Sequence, residues 1–211
     1  GASYFIWLND DTFPVKDAIE LLINTCQKQP RKIVSSQCYA TSEFTIPTYG
    51  ALRKEGKQWF HHYTVTNEVM IGDALSGNLV CLPRSIIDDI GYPPSNKFPQ
   101  YGDIIYTWKA KQAGYQIEAL GASKAVCIPN DPKPTSWLLG DVSIWENCQS
   151  FFSPKCYFYF PAYWHYCLTF SGWWGIIIFF RPYLQFLRAA ILRSLFSREV
   201  LIYLRKNYHY I

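Results

Sequence analysis

The sequence lacks several features that would assign it to a well-defined class of protein. Its seven cysteines include no CxxC pair and no cysteine–histidine spacing typical of zinc sites, and no internal repeat is visible. Residues 1–3 do not begin a signal peptide. These observations argue against a disulfide framework, a zinc finger and a repeat array. An odd number of scattered thiols predicts a reducing, cytosolic environment, in which most cysteines serve as small core residues.

Charge is sparse and unevenly distributed. Of the 211 residues, 17% are charged and 49% are apolar, which is enough to bury one sizeable core and predicts one domain with appendages. The net charge of +4 belongs to residues 181–211, where six basic residues face only Glu199. The chain has no concentrated lysine and arginine run and no recognisable nucleic-acid-binding module. We therefore expect no nucleic-acid partner.

An aromatic segment precedes this basic tail. Residues 157–180 are dense in Tyr, Trp, Phe and Ile, but the uncharged run from Cys167 to Phe180 covers about 14 residues, and a helix needs about 20 to cross a bilayer. Aromatic residues followed by arginines are typical of a peripheral anchor on the cytoplasmic, inner face of the cell membrane. A buried aromatic helical hairpin and a membrane-spanning helix are the alternatives. We predict that residues 136–211 form a helical extension that binds the membrane surface.

The beginning of the chain combines an apolar strand with acidic residues. Five large apolar residues, Tyr4 to Leu8, run directly into Asn9-Asp10-Asp11, as expected for a central strand whose carboxyl end faces a ligand crevice. Two adjacent aspartates suit a hard divalent cation with oxygen ligands. Alternatively, Asp11 or Thr12 caps a helix that has Pro14 in its first turn. The residues alone leave both interpretations open.

A second acidic position opens a predicted helix. Asp103 follows Tyr101 and Gly102 and precedes a helix that starts at Ile104 and ends near Gly114. Its carboxylate is expected either to accept backbone N–H groups as a cap or to face a ligand at the mouth of the helix.

The order of the motifs resembles a known family. The segments LNDDT, SGNLVCLPRSIIDDIG and FPQYGDIIYTWKAKQAGYQI resemble the inverting family-two glycosyltransferases of the GT-A fold, and more specifically a bacterial polysaccharide and rhamnosyltransferase-like branch. The resemblance covers about residue 4 to about residue 190. It implies an α/β fold with a partial GT-A-like mixed sheet flanked by helices and a C-terminal aromatic and basic helical extension. Residues 1–135 would then form the metal- and acceptor-binding half of the domain, and the nucleotide-binding portion is expected to belong to a longer enzyme.

The resemblance also implies a metal site. Asn9 and Asp10 match positions that meet the nucleotide-sugar donor, and Asp11 matches the direct ligand of Mn²⁺ or Mg²⁺. Asn9 replaces the more common aspartate, which weakens the electrostatic hold on the cation. The family's late histidine ligand has no clear counterpart near residues 127–131, and Cys127 is interpreted as a buried thiol.

The remaining implied site residues lie at the sugar pocket and the base. Gly77 and Asn78 match an element that lines the sugar pocket, or else form a tight turn, and Tyr101 and Gly102 match substrate-binding positions. Asp103 matches the general base, which takes the proton of a saccharide or lipid-linked saccharide hydroxyl during inverting transfer. The alternative function is a noncatalytic, membrane-associated interaction module or an inactive fragment, in which Asp11 and Asp103 contribute only to local stability.

Overall fold

A computed structural model of the chain describes residues 1–56, 58–62, 67–93, 101–128, 137–140 and 142–207. The chain divides into two compact units, of which the first comprises residues 1–96 and 101–130 and the second residues 97–100 and 131–211. The elements of the first unit, in chain order, are β1 Tyr4–Leu8, β2 Thr12–Pro14, α1 Ala18–Lys28, β3 Lys32–Tyr39, β4 Pro47–Tyr49, β5 Ala51–Glu55, β6 Gln58–His62, β7 Val69–Ile71, β8 Ala74–Leu75, β9 Leu79–Pro83, α2 Ser85–Ile90, α3 Gly102–Gln112 and β10 Gln116–Cys127.

The main sheet of the first unit is mixed. Its strand order is β1-β9-β3-β10-β2, with β4 paired to β3 and β7 paired to β10, while β6, β5 and β8 form a smaller sheet. Strands β3 and β10 are parallel, and the other pairs in the main sheet are antiparallel. Because α1 and α3 pack on the sheet, the predicted α/β class with a mixed sheet flanked by helices is confirmed.

Two hydrophobic cores cover the two faces of the main sheet. Ile33 and Val80 belong to the core that includes residues of α2 and α3, whereas Val34 and Cys81 belong to the core that includes α1. Neighbouring residues along a strand point to opposite faces, so uninterrupted burial of β3 and β9 requires a helical layer on each side.

Strand β1 differs from its predicted position. It ends the strand order and pairs with β9, and its apolar side chains are only partly buried. The ring of Trp7 lies 5.5 Å from that of Tyr106, and Phe5 lies under the guanidinium of Arg84. The apolar side chains of β1 therefore pack partly on Tyr106 of α3 and on Arg84, just before α2. Within the described part of the chain, the expected central position of this strand is wrong.

The segment after β1 does not form the helix cap that was one of its two predicted roles. Thr12–Pro14 form β2, which pairs with the end of β10, and α1 begins only at Ala18, after Asp17. Asp11 and Thr12 therefore do not cap α1. The short helix α2 ends at Gly91, whose N–H bonds the Ile87 carbonyl at 2.9 Å and whose φ is +77°.

The second unit is helical. Its elements are α4 Ile144–Ser150, α5 Phe160–Ser171, α6 Trp174–Leu195 and α7 Arg198–Asn207, which confirms the predicted C-terminal helical extension. Ser143 and Glu146 form a capping box at the start of α4. The ring of Phe179 on α6 lies 4.8 Å from both Phe160 and Trp164 of α5. A side chain at Gly175 would press on the Cys167 carbonyl, so α5 and α6 approach closely at this glycine.

All seven cysteines are free thiols, five of them buried. They therefore contribute to packing in both units and not to covalent cross-links.

We predict that a buried ion pair between the two parallel strands is costly to break on one side only. Lys32 Nζ on β3 lies 2.8 Å from Glu118 Oε2 on β10, and each side chain is only 11% exposed. Glu118→Gln would leave a buried, uncompensated ammonium and should lower the free energy of unfolding by about 3 to 5 kcal/mol in urea titrations. The matched control is the double variant Lys32→Met/Glu118→Leu, which should recover most of the loss; an equal loss in the double variant would contradict this account.

Candidate functional site

The candidate site lies at one edge of the main sheet. Because β9 is antiparallel to both β1 and β3, and β10 is parallel to β3, the carboxyl ends of β1 and β10 and the start of β9 meet at this edge. Asn9 after β1, Asn78 before β9 and Cys127 at the end of β10 are thereby brought together. The Asn9 N–H donates to the Asn78 carbonyl at 3.0 Å. Ligand crevices of open α/β sheets occur at such edges.

The acidic motif forms a tight turn at this edge. The Thr12 N–H bonds the Asn9 carbonyl at 3.1 Å, which places Asp10 and Asp11 at the two central positions of the turn. Asp10 is exposed, and Asp11 is partly buried. The Thr12 hydroxyl donates to Asp11 Oδ1 at 3.4 Å. The turn therefore directs one carboxylate into the protein and the other toward solvent.

Cys127 is a neighbour of Asp11 that the sequence did not reveal. The interpretation as a buried thiol is confirmed, and its Sγ lies 3.9 Å from Asp11 Oδ1 and accepts the Asn78 amide N–H at 3.1 Å. Burial raises the pKa of Cys127, and the Asp11 carboxylate raises it further. The thiol is therefore protonated at neutral pH and donates to Asp11 instead of acting as a thiolate ligand.

Gly77 and Asp103 are in direct contact. The Gly77 N–H donates to Asp103 Oδ2 at 2.6 Å, and the Ile104 N–H lies 2.8 Å from Oδ1. A Cβ atom on Gly77 would lie 3.1 Å from Asp103 Cβ and 3.2 Å from Oδ2. The absence of a side chain at position 77 therefore allows the backbone to approach the carboxylate.

Helix α3 fixes the position of Asp103. The helix begins at Gly102, two residues earlier than predicted, so Asp103 lies in its first turn; Tyr101 is buried and its carbonyl accepts the Ile105 N–H at 2.9 Å. The buried hydroxyl of Thr107 donates to the Asp103 carbonyl at 2.8 Å and accepts the Leu75 N–H at 2.9 Å. The Thr107 hydroxyl thus connects the first turn of α3 to β8.

Opposing effects act on the acidity of Asp103. Burial raises the pKa of this carboxyl, while the backbone N–H groups of Gly77 and Ile104 lower it, and the net shift is upward. A carboxylate with a raised pKa is a stronger proton acceptor than an exposed one.

The structure brings most of the candidate residues into one connected set. Contacts run from Asp103 to Gly77, along the chain to Asn78, and from the Asn78 side chain through Cys127 to Asp11. Asp10 lies beside this set on the exposed side of the turn.

The side chains at this edge that could bind a metal limit the type of metal site to consider. Within the described ranges, no three His, Cys, Asp or Glu side chains gather into a metal cage. A Mg²⁺-type cation at a diphosphate is commonly held by one or two carboxylates, with water and phosphate oxygens completing the shell. Of the two carboxylates in the turn, Asp11 is partly buried and Asp10 is exposed, so they are compatible with an open site of this kind at most, and the described residues do not form a closed protein cage. Residues 129–131, where a further ligand was sought, lie outside the described part of the chain.

Comparison with known proteins gives limited similarity. No protein-family model matches the sequence, and no curated protein matches it. Among solved structures, the chain is similar to the crystal structure of A197 from STIV, with 15% identity, a TM-score of 0.39, and coverage of 58% of this chain and 56% of that one. It is also similar to GalNAc-T7 crystallised with UDP, GalNAc and Mn²⁺, with 14% identity, a TM-score of 0.49, and coverage of 59% and 27%. The chain therefore matches less than two thirds of the length of each.

We predict that Asp103 makes stability depend on pH. Because its pKa is raised in the folded chain, the folded state binds this proton more tightly than the unfolded state, and the free energy of unfolding falls as pH rises from the ordinary Asp value through the folded pKa. Asp103→Asn should remove this fall, so that in urea titrations the variant gains stability relative to the native sequence as the pH rises above the ordinary Asp value. The control is Asp88→Asn, which removes an exposed carboxylate on α2. If the free energy of unfolding of Asp103→Asn depends on pH in the same way as that of the native chain, Asp103 is not the source of the pH dependence.

Proposed function

We propose that residues 1–135 form the metal- and acceptor-binding half of an inverting GT-A glycosyltransferase of family two. The observation that carries the proposal is the connected set of contacts from Asp103 through Gly77, Asn78 and Cys127 to Asp11. Residues separated widely in sequence, and matched to the family's base, sugar pocket and metal ligand, lie at one sheet edge. The resemblance of the sequence motifs supplies the roles, and the contacts support their joint action.

Asp103 is proposed to act as the general base. Each of its carboxylate oxygens accepts one N–H, and a carboxylate has about four lone-pair sites, so capacity remains for an acceptor hydroxyl. The hydroxyl proton passes to Asp103 as the acceptor oxygen bonds the anomeric carbon, and the bond from that carbon to the diphosphate oxygen breaks with its electron pair leaving on the diphosphate. A single displacement of this kind inverts the anomeric configuration.

The acidic turn is proposed to serve the leaving group. Asp11, with Asp10 beside it, would hold Mn²⁺ or Mg²⁺, and a bound cation supplies charge neutralisation for the departing diphosphate. The Cys127 thiol, by donating to Asp11, orients the carboxylate in its turn. The Asn78 amide N–H donates to Cys127, so the Asn78 amide oxygen is proposed to accept a hydrogen bond from a sugar hydroxyl. The Asn9 amide is proposed to contact the nucleotide-sugar donor.

The second unit is proposed to attach the enzyme to the inner face of the cell membrane. One described helix, α6, is long and apolar enough to cross a membrane, but only 22% of that apolar stretch is buried in the protein. Such a surface is compatible with a saccharide or lipid-linked saccharide acceptor held at the cytoplasmic side. The nucleotide-sugar donor is expected to be soluble.

We predict that Asp103→Asn abolishes transfer but preserves donor binding. Loss of a positioned base should lower the rate by about 10²- to 10⁴-fold, because the amide cannot accept the hydroxyl proton. The probes are a panel of UDP-, GDP- and dTDP-sugars with Mn²⁺; nucleoside diphosphate release reports turnover, titration calorimetry reports donor binding, and NMR of the product anomeric proton reports inversion.

Two variants provide matched comparisons for this test. Asp88→Asn removes an exposed carboxylate on α2 and should leave the rate unchanged, whereas Asp11→Asn should weaken donor binding in the presence of Mn²⁺. If native protein transfers sugar and Asp103→Asn transfers it equally well, Asp103 is not the base. Because residues 1–135 are proposed to be only the metal- and acceptor-binding half, these assays use the chain joined to a nucleotide-binding half. If that protein binds and turns over none of the donors, the noncatalytic interaction module is favoured instead.

We also predict that Gly77→Ala impairs catalysis more than folding. The new methyl group would lie 3.1 to 3.2 Å from the Asp103 side chain, so the carboxylate must shift by a few tenths of an ångström. Misplacement on this scale should reduce kcat by about tenfold or more with a smaller change in KM. Urea unfolding measured in parallel separates the two effects, and an unchanged kcat would show that the Gly77 contact does not position the base.

A further inference from the structure

Helix α6 has two apolar faces on opposite sides. One face packs into the second unit through Gly175, Phe179, Pro182 and Ala189. The other face is exposed and carries a stripe of apolar side chains, here called the outward stripe: Ile177, Phe180, Leu184, Leu187, Ile191 and Leu195. A helix that belonged wholly to a water-soluble core would carry polar residues on this second face.

The spacing of the outward stripe makes it continuous. Successive members are three or four residues apart, which keeps them on one side of a helix with 3.6 residues per turn. Ile177 and Leu184 are 60% and 61% exposed, and Trp173, just before the helix, is 87% exposed. An exposed apolar patch of this length marks a site of interaction with a membrane or with another protein.

Positive charge flanks the outward stripe. Arg181 and Arg188 are exposed and seven residues apart, so both lie along the same border of the stripe. Together with Ile177, Leu184 and Gln185 they line a shallow groove of about 330 Å³. Two guanidinium groups beside aliphatic side chains match the chemistry of an anionic phospholipid, which presents a phosphate next to acyl chains.

The inner side of α6 argues against a transmembrane orientation. The Arg193 guanidinium donates to the carbonyls of Trp137 and Val142, each at 3.0 Å, and the Tyr183 hydroxyl donates to the Phe158 carbonyl at 2.6 Å. Polypeptide outside the helix therefore lines α6 over much of its length. If α6 crossed the bilayer, these irregular segments would enter the hydrocarbon at a cost of several kcal/mol for each unsatisfied group.

Helix α4 adds to the same argument. The ring of Phe151, directly after α4, lies 5.0 Å from that of Phe186 on α6. The Glu146 carboxylate of the α4 capping box is exposed, so it would accompany α6 into the membrane. Arg181 and Arg188 would lie within the span as well, and each charge near the centre is costly.

We propose that α6 lies in the plane of an anionic membrane surface, with the outward stripe at the boundary of headgroups and acyl chains and with Arg181 and Arg188 contacting phospholipid phosphates. The inference rests on the membrane-attachment part of the proposed function and gives it a specific helix face and lipid class. It does not depend on the identity of the donor sugar or on catalysis.

Vesicle flotation tests the docking face. The chain should float with phosphatidylglycerol-containing vesicles and less with pure phosphatidylcholine, and Leu184→Glu should weaken binding by about tenfold or more because it removes apolar burial and adds repulsion. The control is Ile71→Glu, which replaces a similarly exposed apolar residue on β7 of the first unit. This variant should bind the vesicles as well as the native chain does. Absence of native flotation, or equal loss in Ile71→Glu, would overturn the docking face.

Two further measurements test the headgroup contact and the orientation. Arg181→Gln/Arg188→Gln should lose the preference for phosphatidylglycerol, and an unchanged preference would overturn the role of the arginines. Alkaline carbonate should release the membrane-bound chain, whereas retention in the membrane would establish a span. Because all readouts are binding, a chain that docks but transfers no sugar would refute the proposed enzyme without affecting this inference.

Discussion

The antiparallel insertion of β9 between β1 and β3 determines where the candidate functional residues lie. Because β9 is antiparallel to both neighbours, β1 and β3 run in one direction, and β10 is parallel to β3, so the acidic turn after β1 and the thiol that ends β10 reach the same sheet edge. It also places Asn78, just before β9, between them. A change in the direction of this one strand would move Asn78 to the opposite edge of the sheet, away from Asp11 and Cys127.

A second constraint is the close approach of Gly77 to Asp103. The same N–H that positions the carboxylate also lowers its pKa, and burial acts in the opposite direction more strongly. The site thus holds a fixed carboxyl whose raised pKa makes ionisation less favourable in the folded chain than in the unfolded chain, so its ionised form costs stability. Thr107 supports this arrangement by connecting the first turn of α3 to β8.

Local patterns in the sequence predicted individual helices. The position of a strand within the sheet, and contacts between residues far apart in sequence, were harder to predict. The helix carrying Asp103 follows from its start and end signals, and the mixed sheet flanked by helices follows from the resemblance. An apolar strand has the same composition at an edge that packs on helices as in the centre of a sheet, so the position of β1 was not predicted. Pro14 suits both a helix start and a strand end, and no spacing rule connects Cys127 with Asp11. The site residues named from the motifs lie together, but their roles stay predictions.

The contact at Gly175 has a consequence for the outer side of α6. Because the glycine lies directly on the Cys167 carbonyl of α5, the rotation of α6 about its own axis is fixed at its first turn. Each residue of an α-helix advances the direction of its side chains by about 100°. A single inserted residue between Gly175 and Ile177 would therefore turn the apolar side chains that follow toward α5 and bring other side chains outward, with no change in composition. The backbone contact at Gly175 therefore helps to determine which side chains α6 presents on its opposite side.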